Sequence, residues 1–170
     1  ISMNEGENVL TSVQTAIEKN CPYIFVSASG GMRMMTNMFS LMQMTRMTIA
    51  INELKKNNLP YIVVITNPST GGLSASISST GDICIGERGA TMAFAGKRIV
   101  QATTKSELPD NFQTVEWQKE KGQVDIVLDR KDILPTIEKL LSILLKKNSA
   151  INTEENETSE DSQSLTKAAS

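Results

Sequence analysis

Two Gly-Gly pairs carry the chemistry that this chain is able to do. The first stands in SASGGMR (27–33) and the second in STGGLSASISSTGD (69–82). Each follows a short apolar run that reads as a buried strand and precedes a segment that reads as a helix. A strand that turns through bare glycine into a helix presents unpaired backbone N–H groups at the positive end of that helix. Glycine lets a ligand come close to the backbone and accepts φ values that other residues resist. Two such turns after neighbouring parallel strands would aim their N–H groups at one point, as an oxyanion hole does for charge developing on a carbonyl oxygen. The plainer reading is that both pairs only cap tight strand–helix turns, and the pattern alone leaves both open.

Other chemistries are easier to exclude. The chain has no histidine, so neither a Ser-His-Asp nor a Cys-His site can be built. Around Ser29 and Ser74 the glycines stand at the wrong offsets for a nucleophile elbow. GATMAFAGKR (89–98) imitates a phosphate loop, but its glycines are too far apart and Arg98 stands where a Ser or Thr would hold magnesium. Cys21 and Cys84 are isolated and read as buried reduced thiols, and without a cysteine or histidine cluster no metal site is expected.

The elements that must position the glycine pairs alternate along the chain. EGENVLTSVQTAIEKN (5–20) has helical spacing, and PYIFVSA (22–28) reads as a buried strand. A long helix is expected over 34–57, with Met38, Leu41, Met42, Ile49 and Leu54 on its apolar side and Lys55, Lys56 at its C-terminus. YIVVIT (61–66) is a second strand, NPSTGG (67–72) a turn and LSASIS (73–78) a helix of small residues. DICIGE (82–87) reads as a strand, as does ATMAFAG (90–96), followed by a polar helical stretch over 98–121. VDIVL (124–128) and an amphipathic helix from Ile133 to Lys147 complete the pattern. Strands alternating with helices give an α/β fold with right-handed crossovers. Residues 148–170 read as a disordered acidic tail.

Composition narrows the partners. The tail sets five acids against Lys167, a net of −4, which leaves the body to Lys147 near +2 of a whole-chain −2. A near-neutral body without a basic stripe argues against nucleic acid. No apolar run is long enough for a membrane span and no signal peptide is visible, so the expected setting is intracellular.

Long collinear blocks then carry a resemblance. SASGGMRM, FSLMQM, LPYIVVITNPSTGGLSASISSTGDICIGERGATMAFAGKRIV, LPDNFQTVEW and GQVDIVLDRKDI resemble the β subunit of bacterial and plastid acetyl-CoA carboxylase carboxyltransferase, in order from about Ser2 to the final helix. The resemblance implies a crotonase-like (ClpP/crotonase) spiral of ββα units, of which residues 1–147 are the C-terminal part, a partial domain. It implies carboxyl transfer from carboxybiotin, on the biotin carboxyl carrier protein, to acetyl-CoA, giving malonyl-CoA for fatty acid synthesis. The implied partners are a carboxyltransferase α subunit in an α2β2 assembly and biotin carboxylase in a larger ATP-dependent complex, in a bacterial cytoplasm or plastid stroma.

Carried onto this chain, Gly30, Gly31, Gly71 and Gly72 match the family's glycine pairs, whose amides would hold the thioester oxygen as it becomes an enolate. Arg33, Gly96 and Arg98 are the matching substrate-side positions, with a structural ion pair as the alternative for Arg33. Lys97 stands where the family usually has proline, and Met32 where it commonly has a small residue. The biotin anion left after CO₂ release would take the α-proton, which explains why no side-chain base is needed. The glutamates of the related hydratases are missing, with Ser74 and Ala75 near one position and Arg98 near the other. The seven methionines from Met32 to Met47 read as adaptable core or interface packing, with contact to the pantetheine arm as the alternative. Family members carry a four-cysteine zinc ribbon and the first spiral turns upstream, so zinc is expected only on that segment. The chain alone is then expected to expose strand edges and apolar surface, to depend on partners and to be inactive without them. Two other readings stand beside this one: a non-catalytic remnant that binds an α-type subunit, and a carboxyltransferase for another short acyl-CoA.

Overall fold

The computed structural model describes residues 1–145 of the 170. The expected acidic tail therefore lies outside the described residues. Two compact units divide the chain, Ile1–Ile133 and Leu134–Ser170. The first contains every strand named below, and the described part of the second, 134–145, is helical.

The sheet is built on a strand that has no polar face. Tyr61–Thr70 forms β2, and its first five residues, Tyr61 to Ile65, are all buried, as a central parallel strand covered on both sides requires. Tyr23–Ser29 (β1) pairs with it on one side and Ile83–Glu87 (β3) on the other, both parallel. Met92–Ala93 (β4) pairs with the end of β2, and Ile126–Leu128 (β5) pairs with β3. The order along the sheet is β1-β2-β3-β5, so β1 lies at an edge. Its alternation is visible in burial: Ser27 is covered, while Ile24 and Val26 on the other face are exposed.

Two helices cover the sheet face that carries Tyr61, Val63 and Ile65: α1 (Met3–Glu18) and α2 (Asn37–Lys56). Gly6 brings them close, because a Cβ there would run into the Gln43 side chain. This packing turns α2 away from the orientation that the sequence suggests. Its buried residues are Ser40, Gln43, Met47, Ile51 and Leu54, and of the five expected apolar-face residues only Leu54 is among them. Met38, Leu41, Met42 and Ile49 are exposed.

Other boundaries also shift. The segment read as one helix from 34 begins with a 3-10 turn, Met34–Thr36, and the expected helix at 73–78 is two 3-10 turns, Gly71–Leu73 and Ile77–Ser79. The polar stretch splits into α3 (Lys97–Thr104) and α4 (Val115–Glu120). The last helix runs over 130–145.

One backbone device recurs between strands. Asp82 N–H donates to Tyr61 O and the Tyr61 N–H donates back to Asp82 Oδ2, both at 2.8 Å. One strand further on, Asp125 N–H donates to Cys84 O at 3.0 Å and Cys84 N–H donates to Asp125 Oδ2 at 2.7 Å. Each aspartate thus locks the entry of one strand to its neighbour with two reciprocal bonds. Burial, with Asp125 adding to it, pushes the Cys84 thiol up to about 12 and keeps it protonated.

Candidate active site

The glycine turns stand at the C-terminal ends of β1 and β2, where parallel α/β sheets place their ligands. They touch through bare backbone. A Cβ on Gly31 would lie 3.2 Å from Gly71 Cα and 3.4 Å from Gly72 N, and one on Gly71 would lie 3.2 Å from Gly30 O and Gly31 Cα. Gly31 has φ +111° and Gly71 φ +66°, conformations that side chains resist. Glycine is favoured at both positions twice over, by space and by dihedral angle.

The hydrogen bonds separate the members of each pair. Gly31 N–H donates to Ser29 Oγ at 3.1 Å, and Gly71 N–H donates to Phe94 O at 3.1 Å. Among the described residues, neither the Gly30 nor the Gly72 N–H donates to a protein acceptor. One amide in each pair holds the turn in place and the other is left over. Gly30 is exposed, with open space where a Cβ would be. Gly72 is roofed by side chains: a Cβ there would lie 2.7 Å from Met44 Sδ and 2.9 Å from Met32 Cγ.

Further contacts brace the turns. Ser74 Oγ lies 2.7 Å from Ala93 O and 2.9 Å from Gly71 O, tying the second turn to β4. On the first turn, Ile1 N donates to Gly31 O at 2.7 Å and Arg33 N–H donates to Ile1 O at 2.8 Å. These braces escape a sequence reading, although Ser74, two residues after the second glycine pair, is the visible trace of one of them.

The remaining expected positions are more scattered. Arg33 precedes the 3-10 turn, and Gly96 caps α3, whose second residue is Arg98. Both arginines are exposed, and among the described residues neither forms an ion pair, so the structural alternative for Arg33 has no partner here. Lys97 Nζ donates to Pro109 O at 3.0 Å, which fastens the start of α3 to the following loop. A cleft of about 330 Å³ adjoins the second turn, lined by Ser74, Ala75, Ser79, Met92, Ala93, Phe94, Gln118 and Gln123. It carries no carboxylate. A larger groove of about 530 Å³, between α1 and α2, shares no residue with the turns. Of the seven methionines, only Met47 is fully buried.

A parallel α/β sheet whose strands end in two facing glycine turns belongs to a recognised class. The chain is a member of the carboxyl transferase domain family, whose model matches residues 1–169. It is 56% identical over all 170 residues to the acetyl-coenzyme A carboxylase carboxyl transferase subunit beta of Pelagibacter ubique (strain HTCC1062), covering 55% of that protein. The subunit of the same name from Sinorhizobium fredii (strain NBRC 101917 / NGR234) is 47% identical over 147 residues, 86% of this chain and 48% of that one. The chain thus spans about half the length of these relatives.

Among solved structures it superposes on transcarboxylase 12S, with methylmalonyl-coenzyme A and methylmalonic acid bound, at TM-score 0.75 and 26% identity, over 83% of this chain and 28% of that one. The malonate decarboxylase MdcD-MdcE heterodimer of Pseudomonas shares the fold at TM-score 0.66 and 19% identity, over 82% of this chain and 65% of that one. The fold is the crotonase-like one of carboxyl transferases.

Proposed function

We propose that this chain supplies the acyl-CoA side of a biotin-dependent acetyl-CoA carboxyltransferase, with the enolate oxygen of the thioester held by the N–H groups of Gly30 and Gly72. The observation that carries the reading is the backbone contact between the two turns, together with the one uncommitted amide in each. Such donors are oriented before the reaction begins, and removing one from an oxyanion hole typically costs about 2.7–4 kcal/mol of transition-state stabilisation. Met32 and Met44 above Gly72 would keep water from the oxygen and so strengthen the hydrogen bonds. Arg33, Gly96 and Arg98 are the exposed positions proposed to meet the remainder of the substrate.

The carboxyl group would come from carboxybiotin on its carrier protein, with a carboxyltransferase α subunit completing the site in an α2β2 assembly and biotin carboxylase recharging the carrier. The carboxyl transferase family and the relatives' names support this reading. The proposed setting is a bacterial cytoplasm or plastid stroma.

The test is carboxyl transfer in reverse, from malonyl-CoA to biocytin, with the chain assembled with its α-type partner. Turnover is expected. Gly72→Val is the informative variant, because the atoms nearest its Cβ belong to the Met44 and Met32 side chains, not to backbone. The valine keeps its N–H but displaces the Met32 and Met44 cover and crowds the space beside the amide. Transfer therefore falls, by at most the roughly 10²–10³-fold of a lost donor, while the complex still forms. Silence from an assembled wild-type complex overturns the proposal.

A further inference from the structure

The two turns are aligned by two strands whose backbone ladder breaks just before the turns begin. β1 and β2 pair residue for residue from Tyr23↔Tyr61 to Ser27↔Ile65. The next pair is Ser29↔Ser69, so Ala28 faces a stretch of β2 that holds Thr66, Asn67 and Pro68. Across this bulge side chains supply the cross-strand bonds. Thr66 Oγ1 donates to Ser27 O at 2.8 Å, and Ser69 Oγ lies 2.8 Å from the same carbonyl and 2.9 Å from Thr66 O.

The hydroxyls also form a chain of fixed direction. Ser78 Oγ, on the 3-10 turn Ile77–Ser79, donates to Ser27 Oγ at 3.0 Å. Ser27 Oγ lies 2.7 Å from Ser69 Oγ. Since Ser69 spends its single proton on a carbonyl, Ser27 is the donor to Ser69. Ser27, Ser69 and Ser78 are each 0% exposed, so no water competes for these bonds, and a missing partner would leave a buried polar group unsatisfied.

We infer that Thr66 and the buried hydroxyl chain Ser78–Ser27–Ser69 are positioning residues, which set the offset between the two glycine turns and hence the alignment of the Gly30 and Gly72 amides. The inference rests on the carboxyltransferase reading above. Ser27 stands three residues before Gly30 and Ser69 two before Gly71, in extended chain that passes any slip between the strands directly to the turns. Where the ladder is intact, a shift would break many bonds. Between Ser27 and Ser29, where the register slips, these hydroxyls supply the cross-strand bonds that resist it.

The experiment uses the protein assembled with its partner subunit, and compares Ser69→Ala, Thr66→Val and Thr66→Ser with the unrelated core variant Val13→Ala. Thermal melting and the kcat and KM of carboxyl transfer from malonyl-CoA to biocytin are read on each. Ser69→Ala and the near-isosteric Thr66→Val are expected to lower kcat about 10²-fold, the scale of an ångström-size misplacement, with KM for the CoA thioester changed less than about threefold. Thr66→Ser, which keeps the hydroxyl, retains kcat. Val13→Ala lowers the melting temperature and leaves kcat unchanged. If Ser69→Ala fails to assemble, Thr66→Val decides alone. Unchanged kcat in a folded Thr66→Val complex overturns the inference and leaves the functional reading standing, whereas an assembled wild type without transfer overturns both.

Discussion

Gly31 and Gly30 are neighbours with opposite tolerances. An alanine at Gly31 must hold φ near +111° with backbone atoms of the second turn 3.2 Å from its Cβ, and backbone has no rotamer with which to yield. Gly31→Ala is expected to lose about 1–3 kcal/mol in chemical denaturation, whereas Gly30→Ala, whose Cβ enters open space, stays near the parent. Equal losses would show that the turns do not pack as described. Glu5 offers a pH test nearby. The Ser2 hydroxyl, then the Ser2 backbone, bond its carboxylate and hold it down from 4.5 to about 2. A carboxylate depressed in the folded state stabilises above its unfolded pKa, and the contribution fades as pH falls through the folded one. The melting-temperature gap between the parent and Glu5→Gln should hold steady above 4.5 and close as pH falls to about 2. A gap that persists below that range would assign the effect to packing. The glycine pairs were legible because glycine is a local requirement. Which amide stays free was not, because Phe94 O and Ser29 Oγ claim the others through contacts that only folding makes.

At the scale of elements, aspartates join the strands alongside apolar contact. Removing the Asp125 carboxylate leaves the Cys84 N–H without its acceptor next to a thiol that is itself buried. Asp125→Ala is expected to cost about 1–3 kcal/mol, measured by urea unfolding of parent and variant. Burial is the larger cause of the raised Cys84 thiol and Asp125 the smaller, so Cys84 in the variant is expected to alkylate somewhat faster at mildly alkaline pH than the parent thiol, held up to about 12. Alkylation at the same rate in both proteins would deny Asp125 this role. The strands themselves were easy to read, because β2 is apolar on both faces and announces a central parallel strand. α2 misled because its richest apolar stripe is the exposed one. Gly6 on α1 admits Gln43 to the interface, and that tertiary contact rotates the helix against its own pattern.

Over the whole molecule, the consequence of that rotation is a surface unlike that of a stable monomer. Met34 and Met35 are 84% and 82% exposed, and Met38, Phe39, Leu41 and Met42 continue the same apolar stretch directly after the first glycine turn. Ile24 and Val26 are uncovered on β1, which has no strand beyond it among the described residues. Contiguous apolar surface and an open strand edge both favour association with another chain. Methionine makes such a surface adaptable, since its unbranched side chain refits to whatever covers it. The isolated chain is therefore expected to self-associate at micromolar concentration, as read by light scattering during size-exclusion chromatography. The triple variant Met34→Glu, Met35→Glu, Met38→Lys should shift it towards monomer without changing the far-ultraviolet circular dichroism, because none of the three side chains is in the core. Should the parent run as a clean monomer, the exposed methionines would not be an adhesive surface and their enrichment would need another cause. Should the variant still self-associate, the open edge of β1 would be the contact, and a lysine at Val26 would be the change that disperses it.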